Sequence, residues 1–174
     1  GGGFKKFCRK QTAINGASRP ISPTEAKLCE ENGVAFVELP VAFDGIALVV
    51  PRTNDWAQSL TVAELKKIWQ PSSEGSVETW KDVRSSFPAE PLTLVGPGLE
   101  SGTFDFFTQA IVGQEGESRS DYVASEIDAE IADKIATAPG GLGYFGLAHA
   151  TRNAARVRIV AIDDGDDENG KGAV

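Results

Sequence analysis

The stretch Leu92-Thr93-Leu94-Val95-Gly96-Pro97-Gly98-Leu99-Glu100-Ser101-Gly102-Thr103-Phe104 reads as a buried strand, a glycine-rich turn and the start of a helix. Leu92 to Val95 is an apolar run of strand length, and Gly96-Pro97-Gly98 breaks it. Beyond Ser101-Gly102-Thr103, the residues Phe104, Phe107 and Ile111 recur at helical spacing and share one face. The same stretch is an anion site in outline. The first N–H groups of a helix have no partner within it, and the helix dipole favours negative charge there. Gly102 lets a ligand approach the backbone closely, and the Ser101 and Thr103 hydroxyls add donors. The competing reading of Ser101 is an ordinary helix N-cap.

Working outward, helix signals alternate with short apolar runs, the pattern of an α/β protein. Phe4 to Lys10 reads as two helical turns and Thr12 to Ala17 as a short strand. Ser22-Pro23-Thr24-Glu25 is a capping box with Pro at the first helical position, and Gly33 ends that helix. Val34 to Leu39 and Gly45 to Val50 have strand length. Thr61 and Glu64 form a second capping box, followed by Val62, Leu65, Ile68 and Trp69 at helical spacing. Residues 70 to 90 are polar and read as a surface loop holding Trp80. A helix is expected from a Ser125 cap through Ile127, Ile131 and Ile135, ended by Pro139-Gly140-Gly141, and Leu142 to Phe145 and Val157 to Ile162 are the last strands.

The chain has 174 residues, with 17 Lys+Arg against 25 Asp+Glu and a net charge of -8. That length fits one domain or two small lobes. No apolar run reaches the roughly 18 residues of a membrane span. The acidic balance argues against a nucleic-acid or anionic-membrane surface, but a local site can still oppose the global field and hold a small anion. Cys8, Cys29 and His149 make a metal site only with several added carboxylates, so no metal and no cofactor is expected. The cysteines read equally well as a disulfide, closing a loop worth about 3 kcal/mol, or as two buried thiols. Trp56, Trp69 and Trp80 read as packing residues, and His149 as a surface histidine in a helix.

Two more segments supply anion donors. Arg19, in Ala17-Ser18-Arg19-Pro20, offers a planar fork suited to phosphate or carboxylate, or is simply a surface Arg. Gly1-Gly2-Gly3, leading into a helix, is a further nest of backbone N–H groups. The triglycine reads either as a tag scar or as a chain cut inside a glycine-rich turn. At the other end, Asp163 to Gly170 is an acidic loop without calcium-loop spacing. There is no P-loop and no G-x-S-x-G.

Taken together, the segments Gly1 to Cys8, Ala17-Ser18-Arg19-Pro20-Ile21, Phe43-Asp44-Gly45-Ile46-Ala47, Leu65 to Trp69, Ser101 to Phe107 and Gly141 to Gly146 closely resemble the phosphate-binding proteins that feed ABC-type phosphate importers. The resemblance implies an α/β fold of the type II periplasmic-binding-protein class, with one nearly complete lobe and part of a second. Residues 1–49 would be an incomplete first lobe and residues 50–174 most of the second. Inorganic phosphate would lie between the lobes, held by Ser101, Gly102 and Thr103 on one side and by Ser18, Arg19, Gly2 and Gly3 on the other. Some members carry an Asp where Arg19 stands and an Arg shortly before the Ser-Gly-Thr. Here Gly96 to Glu100 occupies the second place, so the resemblance implies that the guanidinium would have changed lobes.

Preferring phosphate to sulfate needs an acceptor for the phosphate proton, for which Glu100, Asp44 and Asp105 are candidates. The resemblance also implies a periplasmic or extracellular location, a Cys8–Cys29 disulfide, and a membrane permease of an ABC phosphate importer as partner. The family's first strand and the C-terminal segment that completes the first lobe are not in this sequence. An exposed sheet edge and dimerisation through it are therefore expected. The alternatives are a phosphatase-like enzyme on the same scaffold, or a fragment without ligand affinity of its own.

Overall fold

The computed structural model describes residues 2–17, 19–42 and 44–165. The chain opens with two short helices, α1 (Gly2–Cys8) and α2 (Pro23–Glu31), which pack on each other. A body of seven short strands and further helices follows among the described residues: β1 (Ile46–Pro51), β2 (Ser59–Thr61), α3 (Val62–Trp69), α4 (Trp80–Val83), β3 (Thr93–Pro97), α5 (Gly102–Phe107), β4 (Val123–Ser125), α6 (Asp128–Thr137), β5 (Gly141–Gly146), α7 (Leu147–Arg152), β6 (Val157–Ile159) and β7 (Ala161–Asp163).

Five strands form one mixed sheet in the order β4-β3-β5-β1-β6, and β2 pairs with β7 in a separate parallel ribbon. In the main sheet β3 runs parallel to β4 and β5, while β1 runs antiparallel to β5 and β6. Side chains alternate across a strand, so β1 divides its residues between two cores. Ala47 and Val49 face α6 with Ile131, Ile135 and Phe145, whereas Leu48 and Val50 face the layer of α3 and α4 with Leu65, Trp69, Trp80 and Tyr144. Each buried Leu or Val contributes about 1.5–3 kcal/mol relative to an exposed one. Gly143 is required by the close seating of α6, because a Cβ there would run into the Val95 carbonyl and the Ile135 side chain.

Both expected capping boxes are formed. The Ser22 hydroxyl accepts from Glu25 N at 3.3 Å, and Thr61 accepts from Glu64 N at 3.1 Å. Gly33 ends α2 with φ +62°. Several expectations are corrected. Thr12–Ala17 and Val34–Leu39 form no strand: Ile14, Val37 and Leu39 are 86%, 82% and 75% exposed, and among the described residues no strand lies beside them. An apolar run becomes a strand only when a neighbour takes up its backbone groups. The sequence 70–90 is not a surface loop around Trp80. A third capping box, Thr79 with Asp82, starts α4, and the fully buried Trp80 donates from Nε1 to Gly140 O at 3.0 Å.

The strand before the glycine-rich turn does not stop at Val95 but runs on to Pro97, whose missing N–H costs little at a strand end. The helix expected from Ser125 begins at Asp128; the Ser125 hydroxyl instead accepts from Ile127 N and donates to Glu130. The run from Val157 to Ile162 splits at Val160 between the two sheets. Most of the acidic C-terminal loop, from Asp166 onward, lies outside the described residues.

Candidate functional site

The N-terminal side of the site is built on two helices joined by a disulfide between Cys8 and Cys29, which closes the question the cysteines left open. α2 owes its start to the capping box, and the same carboxylate does a second job. Glu25 takes the Ser22 N–H on Oε2 at 3.0 Å and also holds Arg19, with Nη1 donating to Oε2 at 2.8 Å and Nη2 to Oε1 at 3.2 Å. Burial pushes the Glu25 carboxyl up, but the hydrogen bonds it accepts, that from Arg19 the strongest and those from Ser22 among the rest, outweigh it and bring the pKa down to about 2. The hydrogen bond to Glu25 raises Arg19 in turn. The guanidinium also lies over the Phe4 ring, 5.2 Å from its centroid.

The other side is the start of α5. Ser101 is its N-cap, and Thr103 N donates to the Ser101 hydroxyl at 3.2 Å. Capping uses that oxygen as an acceptor and leaves its O–H able to donate, so the two readings of Ser101 are compatible. Asp105, one turn in, is buried and lies 3.5 Å from Arg19 Nη2.

Between these sides lies a cavity of about 140 Å3, lined by Gly2, Gly3, Asn15, Gly16, Arg19, Glu100, Gly102 and Asp105, with Phe4 and Ala17. Three segments thus meet at one hollow: Gly2 and Gly3, which form the first turn of α1 rather than a turn before it, the Arg19 segment, and the start of α5. Gly3 has to be glycine, since a Cβ there would collide with the Asn15 carboxamide oxygen. The lining holds one cation, Arg19, and two carboxylates, Glu100 and Asp105. An anion here would rest on backbone N–H and hydroxyl donors more than on net positive charge.

The cavity does not gather every residue that the sequence singled out. Asp44 is exposed and outside the lining, its Oδ1 accepting from Gly45 N at 2.9 Å. Ser101 and Thr103 are half-buried at the helix start, beside the lining residue Gly102. Ser18 lies outside the described residues. A larger hollow of about 390 Å3, among Phe7, Lys10, Thr12 and Val34, is lined by none of the predicted binding residues. His149 is partly exposed, as expected, and its Nε2 is 4.0 Å from Asp128. Trp69 and Trp80 are buried in the core and Trp56 packs against it.

Sequence reasoning missed Asn15, which falls in a segment read as a strand. It also gave Glu25 only its capping role. The Arg three residues before the box was the available signal, since Glu25 had to serve a neighbour as well as its helix.

A family model described as a PBP superfamily domain matches residues 1–170. Among curated proteins the chain is 48% identical over 165 residues to Protein SphX of Synechocystis sp., covering 95% of the chain and 49% of that protein. It is 34% identical to the phosphate-binding protein PstS of Staphylococcus epidermidis, covering 98% of the chain and 50% of that protein. The chain spans about half the length of the curated relatives it matches. Among solved structures, a possible phosphate binding protein from Planctomyces limnophilus is 43% identical with a TM-score of 0.72, over 95% of this chain and 58% of that one. A protein from Clostridium perfringens, described as a phosphate ABC transporter substrate-binding protein with bound phosphate, is 26% identical with a TM-score of 0.70, over 92% of this chain and 60% of that one. The mixed α/β sheet, the helices on both its faces and this match over nearly the whole chain lead to one conclusion: the chain belongs to the PBP superfamily.

Proposed function

We propose that the protein is a non-catalytic solute-binding component that captures inorganic phosphate outside the cytoplasmic membrane and delivers it to the membrane permease of an ABC importer. The observation that carries this reading is the meeting of Gly2 and Gly3, Arg19 and Gly102 around one cavity, with two carboxylates among its walls. Neutral donors would bind the oxyanion, and closure between lobes would strengthen each bond by excluding water. Residues 1–49 would belong to the first lobe and residues from 50 onward to the second. Ser18, Arg19, Gly2 and Gly3 would bind from the first, and Ser101, Gly102 and Thr103 from the second.

Glu100 is the favoured acceptor for the phosphate proton, because it lines the cavity, Asp44 does not, and Asp105, which also lines it, is already paired with Arg19 at 3.5 Å. A carboxylate in that position repels fully ionised sulfate while accepting from a protonated phosphate. The Cys8–Cys29 disulfide supports an oxidising compartment, in keeping with a periplasmic or extracellular location. Calorimetric titration with phosphate, and with sulfate as control, tests the reading. Phosphate-selective heat is expected, and equal heat with both anions, or none, would overturn it. In Glu100→Gln the preference for phosphate over sulfate is expected to shrink. An unchanged preference would remove Glu100 from the role.

A further inference from the structure

Arg19 has a second relationship, across the cavity wall. Its Nη1 donates to Glu25 and to Pro20 O, and its Nη2 to Glu25 and to Glu115 Oε1 at 3.3 Å, with Asp105 3.5 Å away. Glu25 is near in sequence, whereas Asp105 and Glu115 belong to α5 and the loop after it. One guanidinium therefore joins the N-terminal segment to the α5 side. The Arg19 side chain is 13% exposed and that of Glu115 45%, so the pair is shielded at the guanidinium and open to water at the Glu115 carboxylate.

The route by which Glu115 reaches Arg19 is built into the chain. Following α5, Thr108–Val112 forms a π-helical turn, closed by Gly113 N donating to Thr108 O at 3.0 Å. Gly113 and Gly116 take φ +98° and +83°, the left-handed region that favours glycine. Gly116 N then donates to the hydroxyl of the fully buried Thr108 at 2.9 Å. The loop is folded back onto its own helix, and Glu115 is presented at Arg19 from there.

We propose that Glu115 is a positioning residue for Arg19, tying the two sides of the cavity together and slowing the escape of a bound anion. The inference rests on the phosphate-binding reading for its ligand, but the tie itself can be tested without one. A carboxylate that merely competed with the anion for Arg19 would act in the opposite direction, so the sign of the effect decides.

Glu115→Gln keeps the shape and removes the charge. In stopped-flow measurements with inorganic phosphate, release is expected to be about two- to fivefold faster than from the unaltered protein, the range for a half-exposed ion pair. Glu30→Gln, which removes the same charge from the exposed face of α2, sets the general effect of charge on association. Association of Glu115→Gln is expected to match it. The second arm is amide exchange at Gly113 and Gly116 without phosphate, expected to be faster in Glu115→Gln. Unchanged or slower release, or unchanged exchange, would overturn the proposal. If the unaltered protein bound no phosphate, the phosphate reading would fall and amide exchange alone would decide on the tie.

Discussion

The N-terminal segment up to Gly45 and the sheet body that follows are held together by different means. In the body, two apolar cores sandwich a five-stranded sheet and bury Trp69, Trp80, Tyr144 and Phe145. In the segment, Cys8 and Cys29 are the buried apolar residues among those described, and the apolar stretch from Phe36 to Val41 is exposed. A covalent bond and a charge cluster do there what packing does in the body. The two regions should therefore answer differently to cavities, reductants, acid and loss of a cap.

The largest effect is expected from a core truncation. Trp80→Ala should lower the stability of the body by about 3–5 kcal/mol, read by urea denaturation. A small loss would mean that the body is held less by packing than its burial implies. Next is the disulfide. Replacing Cys8 and Cys29 by Ala should loosen the segment by about 3 kcal/mol and leave the body alone. All the tryptophans, Trp56, Trp69 and Trp80, lie in the body, so the fluorescence-detected transition should stay in place while proteolysis within residues 9–40 accelerates. A shifted fluorescence transition would show that the regions unfold as one.

Acid provides a third contrast. The Glu25 pKa is about 2 against an ordinary 4.5, so its contribution is present above the ordinary value and is lost as pH falls from there toward about 2. Between those limits the segment should become protease-sensitive before the tryptophan signal changes. Glu25→Gln should flatten that dependence, and a dependence that persisted would point to another group. The smallest effect is expected at the cap of α5. Ser101→Ala should cost about 1 kcal/mol of stability and also weaken phosphate binding, whereas Thr61→Ala should cost as much and leave binding unchanged.

The parts legible in the sequence are those whose cause is local. A capping box is a contact between residues three apart, so Ser22 with Glu25 and Thr61 with Glu64 could be read directly. The third, Thr79 with Asp82, went unread because its short helix sits among polar residues and presents little apolar periodicity. The strands expected at Thr12–Ala17 and Val34–Leu39 failed for a non-local reason, since apolar content does not supply a neighbouring strand. The site divides in the same way. Ser101-Gly102-Thr103 announces a helix start wherever it occurs, but the bond from Arg19 to Glu115 spans 96 positions and is set by the fold.

The π-helical turn at Thr108–Val112 acts as a gear with one extra tooth. Such a turn holds one residue more than the α-helix around it. Each residue of an α-helix advances the chain by about 100° around the axis. Removing a single residue between Thr108 and Val112 would therefore leave α5 and the sheet where they are and turn the loop that directly follows, Glu115 included, about a quarter of a circle away from Arg19. The pairing across the cavity is thus set by a count of residues as much as by their chemistry. A homologue that kept both charges but lacked the extra residue would have lost the contact.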